Sequence, residues 1–347
     1  MADGTPIRTA IIGYGLSGRV FHAPFIAANP RFSIEVIATS DPTRRAQATR
    51  DHPGAEVVGS PEELLAQSFD LVVLSSPAHV HLEQGLSALA SGAALVIDKP
   101  FAASVADAEQ LIAAAASSAL PLIVFQNRRW DGDFLTIRKL LGEGALGDVH
   151  RFESTFERWS PELRQRWQDT TTTSQGAGIV FDLGSHLVDQ ALQLFGPATL
   201  TAAELSILRP GGVSADEAFL SLLHDSGTRS HLTMSRFATL MGPRFRVLGS
   251  TAGYIVYGLD GQESALVAGA SPADANFGLM PEDTWGTLGI QGSDAPLARV
   301  PTERGDYARF YAGVAATISD GAPSPVDPDD ALATLRIIAQ AHELAGI

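Results

Sequence analysis

The chain has 347 residues, more than one compact core usually holds, so two domains are expected. Its 24 basic and 39 acidic residues leave a net charge of −15, a surface that repels nucleic acid and anionic membranes. There is no cysteine, which excludes disulfide frameworks and thiolate chemistry.

The opening MADGTPIRTA has no apolar signal core. The longest apolar stretch, 111–125, is broken by Ser117, Ser118 and Pro121. It reads as a helix and then a strand rather than a membrane span, and the expected location is the cytoplasm. IRTAII (7–12) reads as a strand that ends in the glycine turn GYGLSG (13–18). A helix follows over 16–29, with Pro24 its awkward residue. SIEVIATS (33–40) is a second strand, after which Asp41-Pro42 starts a turn. Ser60-Pro61-Glu62-Glu63 is a capping box that opens a helix over 61–67. DLVVLSSP (70–77) is apolar throughout, as suits a strand buried on both faces. A helix over 79–91, the strand ALVID (94–98), a helix over 105–118 capped by Ser104 and Asp107, and the strand PLIVFQ (121–126) follow. Strands alternating with helices imply a doubly wound parallel sheet, a Rossmann-type domain over 1–125.

GYGLSG fits the dinucleotide pattern G-x-G-x-x-G between a strand and a helix. Gly13 allows the tight turn, Gly15 lets backbone approach a pyrophosphate, and Gly18 lets helix and strand pack closely. The pyrophosphate would sit on free helix amides, which lets an acidic protein hold an anionic cofactor. Asp41 suits a ribose 2′-hydroxyl and tilts the reading towards NAD. Ser40, Arg44 and Arg45 suit a 2′-phosphate and leave NADP open.

From residue 126 to 347 the pattern changes to an α+β domain. A helix is predicted over 127–144 and a strand over 150–159. Strands are predicted at 201–208, 217–224, 228–237, 244–250 and 252–258, and final helices at 306–319 and 328–345. The clustered strands imply a large, mostly antiparallel, open-faced sheet, a surface for a homodimer or homotetramer. Residues 260–303 read as loops. The segment 180–195 is an amphipathic helix with Asp182, His186, Asp189, Gln190 and Gln193 on one side. Taken alone, that side reads as the wet face of a surface helix.

Three motifs lie in order: GYGLSG, VIDKPF (96–101) and GAGIVFDLGSH (176–186), with SSPAHVH (75–81) between the first two. Together they resemble the Gfo/Idh/MocA family of sugar and polyol oxidoreductases, and stretches such as GYGLSGRVFHAPFI and FDLGSHLVDQALQLFG look like its scyllo-inositol dehydrogenase branch. The resemblance covers essentially the whole chain. It implies NAD or NADP as cofactor, a cyclitol or sugar as substrate, and hydride transfer to or from a secondary alcohol.

Carried over by position, the resemblance makes Lys99, Asp182 and His186 catalytic. It assigns the cofactor to Gly13, Tyr14, Gly15, Leu16, Ser17, Gly18, Ser40, Asp41, Arg44, Ser76, Pro77, His81, Asp98, Lys99 and Trp167. It assigns the substrate to Lys99, Arg129, Asp182, His186 and Gln190, with no metal. His186 suits the alcohol proton, because an imidazole titrates near neutrality. Lys99 would stabilise a developing alkoxide. Three departures stand out: Asp98 in place of the family's glutamate, Ala177 between Gly176 and Gly178, and Ala78 in place of asparagine. Two other readings use the same scaffold: a reductase of non-sugar carbonyls or dihydrodiols, and a catalytically silent NAD(P)-sensing regulator.

Overall fold

A computed structural model describes residues 5–163 and 170–346. The chain forms two compact units. The first runs to Asn127 and adds Glu263–Phe277 and Tyr307–Leu332; the second comprises Arg128–Gln262, Gly278–Asp306 and the stretch from Ala333.

The first unit is built on six parallel strands: β1 (Ile7–Ile12), β2 (Phe32–Ala38), β3 (Glu56–Val58), β4 (Leu71–Leu74), β5 (Ala94–Ile97) and β6 (Leu122–Val124). Their order is β3-β2-β1-β4-β5-β6, so the winding reverses between β1 and β4. In register, Ile12 lies beside Ala38 and Leu74, Leu74 beside Ile97, and Ile97 beside Val124. The strands therefore end level, and the loops after β1, β4 and β5 share one edge at the switch point where open sheets bind ligands. β4 and β5 are buried at every residue, as their apolar runs require.

Two helices depart from the sequence reading. The segment after the glycine turn is a π-helical turn, Ser17–His22, followed by an α-helix, Ala23–Ala28. The break resolves the problem of Pro24, which sits in the first turn of the second piece, where a proline lacks no needed N–H. Asp41-Pro42 does not merely start a turn. It opens the ten-residue helix Pro42–Asp51, with Asp41 Oδ1 accepting from the Arg44 amide at 2.9 Å. The helix Val105–Ser118 has the expected bounds, and Ser104 Oγ caps it by accepting from the Asp107 amide at 3.1 Å.

The second unit is an eight-stranded sheet of β7 (Val149–Glu157), β8 (Ala198–Ser206), β9 (Glu217–His224), β10 (Arg229–Ser235), β11 (Phe245–Gly249), β12 (Gly253–Val256), β13 (Gly286–Gly289) and β14 (Ala298–Val300). The order is β14-β13-β12-β11-β7-β10-β9-β8, antiparallel except for the parallel pair β7–β10. One face is buried through alternate residues such as Phe152, Phe156, Leu220, Leu232, Met234 and Phe245. The residues between them are half-buried or exposed, as in a sheet with one open face. The helix Ser185–Phe195 packs against β7 and β10.

The region 260–303 is more regular than a run of loops. It holds the helix Gln262–Val267 and strands β13 and β14, short pieces whose glycines and prolines hide the strand alternation. Among the described residues no helix is long and apolar enough to cross a membrane.

Candidate active site

In the first unit the glycine loop leaves β1 with Gly13 at φ +96°, a backbone conformation that favours glycine. A Cβ there would stand 2.9 Å from the Ser75 carbonyl oxygen, so the loops after β1 and β4 press together. Ser75 Oγ fastens them by donating to the Gly13 carbonyl at 2.6 Å. A Cβ on Gly18 would fall 2.1 Å from the Gly13 oxygen, so only glycine lets the helical segment start this close to the strand. Gly15 differs: the atoms a Cβ there would meet within 4 Å belong to the Arg44 guanidinium, at 3.7 Å or more. Its bare backbone leaves room for a phosphate, with a cation at the rim. The loop thus fits a dinucleotide pyrophosphate.

The neighbouring residues fall into two groups. Leu16, Ser40, Asp41 and Arg44 are exposed along the same edge. Tyr14 is buried, and its hydroxyl donates to Asp51 Oδ2 at 3.2 Å; burial and the Asp51 charge hold the phenol protonated. Ser76 and Pro77 are half-buried in the loop after β4. His81 is fully buried, with Nε2 2.8 Å from the Ser76 carbonyl and Nδ1 3.2 Å from that of Phe101. It clasps the loops after β4 and β5. Burial lowers its pKa and outweighs the two carbonyls, so the neutral ring donates, and the shorter contact to Ser76 takes its N–H.

Asp98 and Lys99 follow β5 directly. Asp98 Oδ1 accepts from the Lys99 amide at 2.7 Å. Burial alone would raise this carboxyl, but the neighbouring His22, a hydrogen bond from Ser17 and the Lys99 charge prevail. The pKa lies below the ordinary carboxylate value. The shorter side chain at this departure from the family pattern therefore keeps a full set of partners. Trp167 lies outside the described residues.

In the second unit, the segment that carries Asp182 and His186 begins as a π-helical turn, Val180–Gly184, and becomes α-helical at Ser185. Gly176 and Gly178, at φ +76° and +98°, set the approach. Ala177 between them takes an ordinary φ, which explains why a side chain is tolerated there.

Most of the polar side of this helix is not wet: His186, Asp189 and Gln190 are 4%, 2% and 0% exposed, Asp182 keeps partial access, and only Gln193 of the five is exposed. The physical reason is a set of arginines from distant parts of the chain. Arg236, at the end of β10, donates to Asp182 Oδ2 through Nη2. Arg129 grips Asp189 with two bonds, Nε to Oδ2 at 2.9 Å and Nη2 to Oδ1 at 2.5 Å. Gln190 donates to the Arg128 carbonyl at 2.9 Å and accepts from Arg244 Nη2 at 2.8 Å. Arg244 also donates to Ser154 Oγ at 2.8 Å and stacks over Phe245, 4.0 Å from its centroid. Buried charges persist only when paired in this way. Arg236 and Arg244 escape sequence reasoning because no local spacing links them to the helix.

Asp133 lies in the same polar layer. It accepts from the Phe134 amide at 2.7 Å and stands 3.7 Å from Arg244 Nε. Burial first, then the like charge of Asp260, push its carboxyl up to about 6 despite Arg244.

Residues 7–126 match the description "Oxidoreductase family, NAD-binding Rossmann fold", and residues 134–255 match "GFO/IDH/MocA C-terminal domain". The chain is 36% identical to the scyllo-inositol 2-dehydrogenase (NADP(+)) IolW of Bacillus subtilis, an alignment covering 97% of this chain and 93% of that protein. It is 32% identical to the D-apiose dehydrogenase of Paraburkholderia graminis over 48% of this chain and 44% of that one. A solved structure of the oxidoreductase yvaA from Bacillus subtilis superposes with a TM-score of 0.94 at 34% identity, covering 100% of this chain and 98% of that one.

Proposed function

Because the chain belongs to the Gfo/Idh/MocA family of NAD(P)-binding oxidoreductases, we propose that it moves a hydride between NADP and a secondary alcohol or ketone of a cyclitol or sugar. The observation that carries this reading is the arginine-held helix. It commits Arg236, Arg129 and Arg244 to keeping Asp182 and His186 in fixed places, and a merely solvated face needs no such support. The first domain, expected over 1–125 and joined in the structure by 263–277 and 307–332, would bind the cofactor; the remainder of 126–347 would bind substrate and associate with further copies through its open sheet face.

When bound, the nicotinamide cofactor supplies or accepts the hydride. Lys99, at the end of β5, offers a positive charge to an oxygen that gains negative charge. His186 takes the proton of the alcohol in oxidation and returns it in reduction. Asp182, partly accessible and oriented by Arg236, accepts from a neighbouring substrate hydroxyl. Arg129 and Gln190 serve the substrate side by fixing the helix through Asp189 and the Arg128 backbone.

The preference for NADP rests on two features. The first is the capping role of Asp41, which engages one carboxylate oxygen. The second is Arg44, exposed beside Gly15 with no carboxylate partner among the described residues. The name of the Bacillus subtilis relative is in keeping with it. Asp41 keeps its second carboxylate oxygen for a ribose 2′-hydroxyl, so NAD stays open beside NADP.

Lys99→Ala and His186→Ala test the assignment. Each should lower kcat by roughly 10²- to 10⁴-fold, with cofactor binding near wild type in His186→Ala. Variants that fold, bind cofactor and keep full turnover would refute it.

A further inference from the structure

His22 is fully buried, its ring centroid 4.2 Å from that of Phe125 and tilted against it. Packing alone does not ask for an imidazole there, because burying a polar ring costs free energy unless both nitrogens are used. Nδ1 is within hydrogen-bond reach of a hydroxyl, whereas Nε2, buried and without a hydrogen-bond partner among the described residues, faces a carboxylate from just beyond that reach. Nδ1 lies 2.6 Å from the Tyr311 hydroxyl, on the helix Ala308–Asp320, and Nε2 lies 3.7 Å from Asp98 Oδ2. The phenol keeps its proton, since burial and the Asp98 charge push its pKa well above the ordinary value. With the phenol donating to Nδ1, the imidazole proton belongs on Nε2, aimed at Asp98. The chain Tyr311–His22–Asp98 then ends at the Lys99 amide, which Asp98 Oδ1 holds at 2.7 Å.

We propose that His22, backed by Tyr311, is a positioning residue for the reaction: its imidazole holds the Asp98 carboxylate in place, and Asp98 sets the backbone and the charge around Lys99. The proposal rests on the role given to Lys99 above. The Asp-His pair is arranged as an orienting pair in reverse, with the histidine behind and the carboxylate towards the site. Other groups bear on the same carboxylate. Ser17 reaches it from the π-helical turn, Lys99 is its chain neighbour, and His81, from the helix His81–Ala90, feels its charge. Tyr311 is the titratable group behind His22.

The test uses Tyr311→Phe, His22→Gln and His22→Phe in the full chain. Tyr311→Phe removes one hydroxyl and keeps the ring among Phe32, Phe125 and Phe310. It should lower kcat roughly threefold to tenfold with the KM for cofactor unchanged, and move the acid limb of the kcat/KM profile to higher pH. His22→Phe should lose more, roughly a hundredfold, and His22→Gln, which keeps a donor, should recover part of that loss. Variants that bind cofactor normally and keep wild-type kcat and acid limb would make His22 a packing residue and overturn the proposal.

Two readouts need no turnover. The imidazole nitrogen shifts of labelled protein, assigned with His22→Phe, should show Nε2–H, and the Asp98 carboxyl should titrate higher in Tyr311→Phe. An Nδ1–H ring or an unmoved Asp98 titration would also overturn the proposal. Should wild type turn over no substrate, the proposed function fails, while these two readouts still decide for or against His22.

Discussion

Asp189→Ala gives the severest test of the buried polar layer. Asp189 and Arg129 are 2% and 7% exposed, and two bonds join them. Removing the carboxylate takes the Asp189 charge from a buried guanidinium, a loss of about 3–5 kcal/mol in comparable cases. For a unit of this size, ~1 kcal/mol corresponds to roughly 2–4 °C, so Tm should fall by about 6–20 °C. The paired change Arg129→Met with Asp189→Leu removes both charges and keeps comparable volume. It should return most of that loss, because buried pairs cost desolvation as well as giving attraction. Thermal unfolding of the wild type, Arg129→Met, Asp189→Leu and the double variant closes the cycle. His186 lies three residues before Asp189, so kcat should fall in the single variants even below their Tm. A Tm within about 2 °C of wild type for Asp189→Ala would refute the claim that arginine pairing holds this helix.

The glycine loop separates two kinds of damage. Gly18→Ala forces a Cβ to 2.1 Å from the Gly13 oxygen and should cost about 1–3 kcal/mol or more of stability along with cofactor binding. Gly15→Ala meets only the tip of Arg44, so thermal unfolding should be unchanged while a fluorescence titration shows weakened cofactor binding. Arg44→Ala should weaken NADPH roughly tenfold at physiological salt, more at low salt, and leave NADH unaffected; parallel titrations measure the ratio. Asp133 titrates higher folded, at about 6, than its ordinary carboxyl value, so the folded state binds the extra proton. Its contribution is full below the unfolded pKa and is lost as pH rises from about 4 through 6. Urea midpoints of Asp133→Asn across that range should lack this decline.

The legible parts of the chain were those fixed by local pattern. The fully apolar runs 71–74 and 94–97 announce buried strands, and GYGLSG between strand and helix announces the turn that Gly13 and Gly18 make. The strands 217–224 and 229–235 show their alternation because one face is buried and the other open. What escaped depends on pairing across long separations. Asp189 reads as a solvated acid until Arg129, sixty positions earlier, is found beside it. Arg236, just after β10, and Arg244, just before β11, reach the same helix with no sign of it in the local sequence. Asp41 carried two meanings, ribose partner and helix cap, and the amide of Arg44 reveals the second. β3, β13 and β14 are three or four residues long, too short for a period of two to stand out. His22 sits among apolar neighbours, and its use becomes visible only with Tyr311, 289 positions away.

The most direct test of the central claim is the near-ultraviolet absorbance of reduced nicotinamide, with purified protein, NAD and NADP in parallel, and a panel of inositol stereoisomers and aldoses. Reduction of NADP by at least one cyclitol or sugar is expected, with its loss in Lys99→Ala and His186→Ala. Turnover of aromatic diols or diketones with the polyols inert, or tight cofactor binding with no turnover across both groups, would contradict it.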